Sequence, residues 1–301
     1  MIAKVLVFTL LLFPGMNLNL PEVQTKATLP QAESLDNDAF GGGFVKAAPV
    51  KTGESLGVLL SGEEGLIFDV DSKTVLFSKN ENQPRAMAST TKLMTVLLLM
   101  DSEKSLDEVV TISGNVSKEG SDVALSAGEE VRASDLLKAA LIASANDAAL
   151  AISEFVAPDT ITFVNMMNEK TKELGMKNTV YKNPTGLDEE GHVSSAYDIT
   201  ILMNKVLEYE DIRNAINTKE ASVYILNSNR VINLQNTNEL LGSDLEIFGG
   251  KTGYTEAAKR CLTTVTDKNG HRLIVTVMGS TDAFHDTRAL IEWTHNNFTW
   301  K

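Results

Sequence analysis

Apolar positions along the chain fall into three successive patterns, and the first predicts strands. The runs 57–60, 65–70 and 74–78 are short and rich in Val, Leu, Ile and Phe, and the Asp-Ser-Lys at 71–73 is typical of a turn. They predict a hairpin. Residues 88–100 then carry apolar side chains on nearly every side, which predicts a helix buried at the centre of the fold.

The second pattern is helical, and the third returns to strands. Apolar residues recur at helical spacing over 136–157, 161–174 and 196–207, while Asn-Pro-Thr-Gly-Leu-Asp at 183–188 indicates a loop. Strand-like runs follow at 223–226, 248–254, 261–266 and 273–278, and residues 284–298 predict a closing helix. This order predicts an α+β fold in which an antiparallel sheet packs against a helical block.

The first 56 residues have a different character. Lys4, a short apolar run over 5–13 and Pro14 are typical of a secretory signal, so residues 1–20 are predicted to be a signal peptide or a retained N-terminal anchor. The apolar run is shorter than the roughly 20 residues that a membrane-spanning helix needs. Residues 21–56 are rich in Pro, Gln, Ala and Gly, which predicts a flexible linker before one domain over 57–301.

Charge and rare residues exclude several classes of function. The chain has 40 Asp and Glu against 27 Lys and Arg, a net charge of −13, so its surface repels nucleic acid. Cys261 is the single cysteine, which rules out an internal disulfide, and its strand-like context predicts a buried, inert thiol. The four histidines show no paired metal-ligand spacing, so no metal site is predicted.

The start of the buried helix carries the first candidate chemistry, Ser89-x-x-Lys92. A three-residue offset places Lys92 on the helical face of Ser89, and a helix start points free N–H groups at whatever the serine oxygen attacks. Burial would lower the pKa of Lys92, so that a neutral amine could take the proton of Ser89. The alternative is a helix-capping serine followed by a solvated lysine.

Two further motifs lie downstream. Ser144-Ala-Asn146 follows an apolar helical run, so Ser144 could relay protons and Asn146 could hydrogen-bond a substrate carbonyl; the alternative is an ordinary helix or loop serine. Lys251-Thr252-Gly253 lies in a strand-like run, where Gly253 would let a substrate backbone approach and Lys251 would help to keep Lys92 neutral. A second Lys-Thr-Gly, at 51–53, lies in the predicted linker and is set aside.

Taken in order, these motifs resemble those of the penicillin-recognising serine enzymes. The flanking residues narrow the resemblance to the low-molecular-mass penicillin-binding proteins, the serine-type D-alanyl-D-alanine carboxypeptidases. The segments that carry it are Ala-Ser-Thr-Thr-Lys-Leu-Met-Thr (88–95), Ser-Ala-Asn-Asp-Ala-Ala (144–149), Asn-Pro-Thr-Gly-Leu-Asp (183–188), Ala-Tyr-Asp (196–198) and Gly-Gly-Lys-Thr-Gly-Tyr-Thr (249–255). The resemblance covers about residues 57–298 and implies the penicillin-binding, β-lactamase-like transpeptidase fold.

The resemblance also implies a reaction and a place for it. Ser89 would form an acyl-enzyme and remove the terminal D-alanine from peptidoglycan pentapeptide stems, outside the cytoplasm of a bacterium. Lys92 would be the base, and Ser144 would help to protonate the departing D-alanine. The N–H groups of Ser89 and Tyr254 would bind the oxyanion, while Lys251 and Thr252 would face the terminal carboxylate, with Asn146 and Gly253 also binding substrate. No metal or organic cofactor is implied, and β-lactam antibiotics would be covalent inhibitors.

The chain departs from the family pattern at several positions. Ala145 stands where the family usually has Gly, and Lys259-Arg260 replaces a small or aromatic pair. The family often has an Arg just before the last helix; Arg288 is out of register for that role. The sequence ends at Lys301 without the β-rich second domain and C-terminal amphipathic helix of many members, so a membrane tether is expected to depend on the N-terminal segment or to be absent.

Two other functions fit the sequence less well. A class A β-lactamase needs a deacylating Glu in a Glu-x-x-Leu-Asn pattern between residues 146 and 251, and the sequence has none there. A non-catalytic peptidoglycan-binding module would have no need of a neutral Lys92 beside Ser89. The motifs fit a housekeeping and a specialised carboxypeptidase equally, and they also fit accompanying endopeptidase or transpeptidase activity.

Overall fold

A computed structural model describes residues 46–115 and 119–301. The strands are β1 (Val50–Lys51), β2 (Glu64–Asp69), β3 (Thr74–Lys79), β4 (Val109–Thr111), β5 (Glu130–Arg132), β6 (Glu220–Tyr224), β7 (Val231–Gln235), β8 (Ile247–Thr255), β9 (Lys259–Lys268), β10 (His271–Ser280) and β11 (Phe298–Thr299). The helices are α1 (Lys92–Asp101), α2 (Ala133–Ile142), α3 (Asn146–Val156), α4 (Thr160–Glu173), α5 (Ala196–Val206), α6 (Glu210–Asn217) and α7 (Ala283–Asn297), and a 3-10 turn over Ala88–Thr91 leads into α1.

The main sheet has five antiparallel strands in the order β3-β2-β10-β9-β8. Side chains alternate across it: Leu66 and Phe68 of β2 belong to the core shared with the helical block, whereas Ile67 packs in the second core with α7. Both faces of the sheet are therefore covered, and β2 is buried along its whole length. The predicted α+β fold with an antiparallel sheet against a helical block is confirmed.

Helix α1 lies at the centre of the helical block. Every residue from Lys92 to Leu99 is buried, as its all-round apolar character predicts. Helix α3 and the 3-10 turn contact α1, and β8 packs against the same turn. The edge strand β8 and the start of α1 are thereby held side by side, which sets the position of the candidate site.

Three sequence-based expectations differ from the structure. Residues 57–60 form no strand, and β2 starts at Glu64. The helix expected over 136–157 is two helices, because Ser144 takes a left-handed backbone conformation (φ 60°) between α2 and α3. Part of the predicted linker is ordered: β1 pairs with β11, and the N–H of Thr52 donates to the carbonyl oxygen of Asn297 at 2.8 Å.

The expected signal or anchor lies outside the described residues. Within residues 46–115 and 119–301, no helix is long and apolar enough to cross a membrane.

Candidate active site

Ser89 lies in the 3-10 turn, partly exposed between buried neighbours. Ala88, directly before it, has a left-handed backbone (φ 49°), an uncommon conformation for a residue with a Cβ atom. Strand β8 passes so near that a Cβ added to Gly253 would lie 2.9 Å from the backbone nitrogen of Ser89. Gly253 therefore lets β8 approach the serine closely, a contact that differs from the approach of a substrate backbone predicted for this glycine.

Lys92 is fully buried and ends in a three-sided cage of oxygen atoms. Its Nζ lies 2.9 Å from Ser89 Oγ, 2.6 Å from Asn146 Oδ1 and 2.7 Å from the carbonyl oxygen of Thr185. Burial holds the pKa of Lys92 well below its ordinary value, and the positive charge of Lys251 lowers it further. The negative charge of Asp147 acts in the opposite direction. Burial therefore favours the neutral form of the amine.

The second serine and the second lysine meet beside this cage. The left-handed backbone at Ser144 turns the chain, and Ser144 Oγ lies 2.9 Å from Lys251 Nζ. Lys251 also donates to the carbonyl oxygen of Thr252 at 2.8 Å. Burial lowers the pKa of Lys251 to about 7. The structure thus brings all three motifs to one place.

The remaining predicted residues lie on the same elements, close to these two lysines. Asn146 is engaged within the protein, because its Nδ2 donates to the carbonyl oxygen of Glu119 at 2.7 Å while its Oδ1 accepts from Lys92. Thr252 Oγ1 lies 2.5 Å from Thr237 Oγ1. Tyr254 is exposed, and the guanidinium of Arg260 lies 5.7 Å from the centre of its ring.

The loop 183–192 supplies contacts that sequence reasoning did not assign. Thr185 accepts from Lys92 through its carbonyl oxygen, and Asn183 Oδ1 accepts from the backbone N–H groups of Thr185 and Gly186. This side-chain-to-backbone turn is common for Asn, so the Asn-Pro-Thr-Gly signal could have predicted the turn. Nothing in the local pattern predicts that it would reach Lys92.

Several side chains are excluded from the chemistry. Cys261 is buried and burial raises the pKa of its thiol to about 11, so the inert role predicted for it agrees with its surroundings. Arg288 is bound to Asp244 and Glu292. Lys259 pairs with Glu63. In the described parts of the chain, no group of three or more His, Cys, Asp or Glu is placed to hold a metal ion.

This fold and this arrangement define the class of serine enzymes that combine a Ser-x-x-Lys motif, a second serine and a Lys-Thr-Gly strand. The profile of the D-alanyl-D-alanine carboxypeptidase family matches residues 57–282. The chain belongs to that family.

Individual relatives agree with the assignment. The chain is 42% identical over 223 residues to the D-alanyl-D-alanine carboxypeptidase DacF of Bacillus subtilis, a match that covers 72% of this chain and 57% of the relative. It is 33% identical over 251 residues to a D-alanyl-D-alanine endopeptidase of Pseudomonas aeruginosa, with 81% of each chain covered. The crystal structure of the Streptomyces K15 DD-transpeptidase matches with a TM-score of 0.75 at 26% identity, over 79% of this chain and 98% of that one.

Proposed function

We propose that the chain is a serine D-alanyl-D-alanine carboxypeptidase that removes the terminal D-alanine of peptidoglycan stem peptides through an acyl-enzyme on Ser89. The observation that carries this proposal is the number of polar contacts at Lys92 Nζ. A neutral amine has two N–H donors and one lone pair. The oxygens of Asn146 and Thr185 can only accept, so they take the two N–H groups. The lone pair then faces Ser89 Oγ at 2.9 Å, where it can accept the hydroxyl proton.

The reaction follows from this pairing. As Ser89 Oγ bonds to the carbonyl carbon of the scissile D-Ala–D-Ala amide, its proton passes to Lys92 Nζ. The carbonyl oxygen becomes an oxyanion, which the N–H groups of Ser89 and Tyr254 would stabilise. The amide C–N bond then breaks, and the departing D-alanine nitrogen takes the proton that Lys92 accepted, relayed through the hydroxyl of Ser144, which contacts Lys251. Water attacks the ester, releasing the shortened peptide and restoring the Ser89 hydroxyl.

The charge of the Lys251 amine would orient the substrate through its terminal carboxylate. Lys251, with Thr252 beside it, would bind the terminal carboxylate of the peptide, and a bound carboxylate would favour the protonated form of the amine. Asn146 Nδ2 gives one of its two hydrogens to the Glu119 carbonyl, and the other could donate to a substrate carbonyl. β-Lactam antibiotics would acylate the same serine. The substrate places the enzyme outside the cytoplasm, secreted or tethered through its N-terminus.

A D-alanyl-D-alanine endopeptidase is the second candidate. Its support is the 33% identity over 251 residues to the Pseudomonas aeruginosa D-alanyl-D-alanine endopeptidase. The acyl-enzyme chemistry is the same for both activities, and only the leaving group differs: free D-alanine in one case, the cross-linked neighbouring stem in the other.

The test uses the purified chain with a Ser89→Ala control. Intact-mass analysis after incubation with a fluorescent penicillin should find one adduct on the wild type and none on the variant. Digestion of pentapeptide monomers and of cross-linked dimers, followed by chromatography, should release D-alanine from the monomers. Cleavage of dimers alone would favour the endopeptidase, rapid penicillin turnover a β-lactamase, and the absence of any adduct or product a non-catalytic module.

A further inference from the structure

A buried histidine lies behind the nucleophile, with one polar partner for each ring nitrogen. His192 Nδ1 lies 3.0 Å from the backbone nitrogen of Lys182, and Nε2 lies 2.8 Å from Thr91 Oγ1. Because a backbone N–H can only donate, Nδ1 accepts. Burial lowers the pKa of His192 to about 4, so the neutral ring carries one proton. That proton is on Nε2 and is donated to Thr91.

The chain of hydrogen bonds continues to the peptide in front of Ser89. Thr91 Oγ1 donates to the carbonyl oxygen of Ala88 at 2.8 Å. The side chains of His192, Thr91 and Ala88 are all buried. The carbonyl of Ala88 and the N–H of Ser89 belong to one planar trans peptide and point in opposite directions. Whatever fixes the direction of the Ala88 carbonyl therefore fixes the direction of the Ser89 N–H.

The geometry points to His192 as a positioning residue that acts through Thr91 to orient the Ala88–Ser89 peptide, so that the N–H of Ser89 faces the oxyanion. This inference rests on the proposed function, in which that N–H is one of the two oxyanion donors. A hydrogen bond to the carbonyl end also polarises the peptide and strengthens the N–H as a donor. The left-handed backbone at Ala88 needs such support, since it is strained for a residue with a Cβ atom.

Substitution of His192 by Gln or by Asn can preserve one of its two contacts and remove the other. In His192→Gln the amide nitrogen can reach the position of Nε2 and donate to Thr91, while Lys182 loses its acceptor. In His192→Asn the amide oxygen can replace Nδ1 for Lys182, but the shorter side chain does not reach Thr91. Thr91→Ser keeps the relaying hydroxyl, and Thr91→Val removes it at nearly constant shape.

The experiment measures, for the full chain and each variant, the acylation rate by a fluorescent penicillin, kcat and KM for D-alanine release, and Tm. Loss of an oxyanion donor costs about 10²–10³ in rate, so misorientation in His192→Asn and Thr91→Val should cost about 10–100-fold in acylation and kcat, with KM nearly unchanged. His192→Gln and Thr91→Ser should keep rates near the wild type. The double variant His192→Asn/Thr91→Val should be no slower than the worse single variant.

Several results would overturn the inference. These are equal losses in His192→Asn and His192→Gln, a rise in KM at constant kcat, additive losses in the double variant, or rate losses that follow Tm across all four single variants. A wild-type chain that neither acylates nor releases D-alanine would instead overturn the proposed function. The two failures are therefore distinguishable.

Discussion

Gly186 touches the peptide in front of the nucleophile so closely that one methyl group is expected to slow the reaction. A Cβ atom added there would lie 2.0 Å from the carbonyl oxygen of Ala88 and 2.9 Å from the backbone nitrogen of Ser89. Non-bonded carbon–oxygen contacts in proteins are about 3.3–3.6 Å. The Gly186→Ala variant must therefore relieve more than about 1 Å of overlap, and the obstacle is backbone rather than a flexible side chain.

Two costs follow from these distances. Gly186 has φ +91°, so any side chain there adds a left-handed strain of about 1–2 kcal/mol, to which overpacking adds about 1–3 kcal/mol. A displacement of about 1 Å at the reacting group costs about 10²-fold in rate. We therefore expect Gly186→Ala to be destabilised by about 2–5 kcal/mol and to be acylated about 100-fold more slowly.

Gly191 offers a matched control in the same loop. Its φ is +78°, but the nearest atom to an added Cβ is Cε of Lys182 at 3.3 Å, the end of a flexible side chain. Gly191→Ala should share the backbone strain without moving the nucleophile. Urea unfolding and penicillin acylation, both measured well below the Tm of each variant, separate the two costs. If Gly186→Ala were acylated as fast as Gly191→Ala, the loop would not hold the Ala88–Ser89 peptide in place.

Three further expectations concern charge, binding and the N-terminal segment. Because the pKa of Lys251 is near 7, between about pH 7 and about pH 9 the unfolded chain binds a proton that the folded chain lacks. The free energy of unfolding of the wild type, measured in urea relative to that of Lys251→Met, should therefore rise with pH. A difference between the two chains that does not change with pH would contradict this. Thr252→Val should raise KM for the peptide about 10-fold at similar kcat, whereas a fall in kcat alone would contradict a role in binding. A chain that begins at residue 57 loses the hydrogen bonds from the Thr52 N–H to the Asn297 carbonyl and from Trp293 Nε1 to Ser55 Oγ, so it should unfold at a lower urea concentration than one that begins at residue 46. Equal unfolding midpoints would show that this segment adds nothing to stability.

The elements that sequence predicted well are those fixed by burial alone. Helix α1 is apolar on all sides, and only the centre of a domain accommodates such a helix. The same pattern allowed a buried Lys92 with a lowered pKa, against the alternative of a solvated lysine, and the structure buries the lysine. Burial does not predict the contact between Ser144 and Lys251, because the two residues are 107 positions apart. Only the family resemblance indicated that they lie in one site.

The elements that sequence missed depend on distant contacts. The bond between His192 and Thr91 joins residues 101 positions apart, and no local pattern predicts such a contact. The break at Ser144 was missed because no Gly or Pro marks it and the surrounding Ala and Leu residues favour helix. A left-handed serine is unfavourable locally, so its contact with Lys251 and the packing around it must compensate.

Ser144 allows the chemistry and the backbone strain to be measured separately. Ser144→Ala removes the hydroxyl and keeps a Cβ atom at φ 60°, whereas Ser144→Gly removes both the hydroxyl and the strain. Both variants should lose about 10²–10⁴-fold in kcat, because proton transfer to the leaving nitrogen needs the hydroxyl. In urea unfolding, Ser144→Gly should be more stable than Ser144→Ala by up to about 1 kcal/mol. If Ser144→Gly recovered activity while Ser144→Ala did not, the backbone conformation rather than the hydroxyl would limit the reaction, and the proton relay through Ser144 would be wrong.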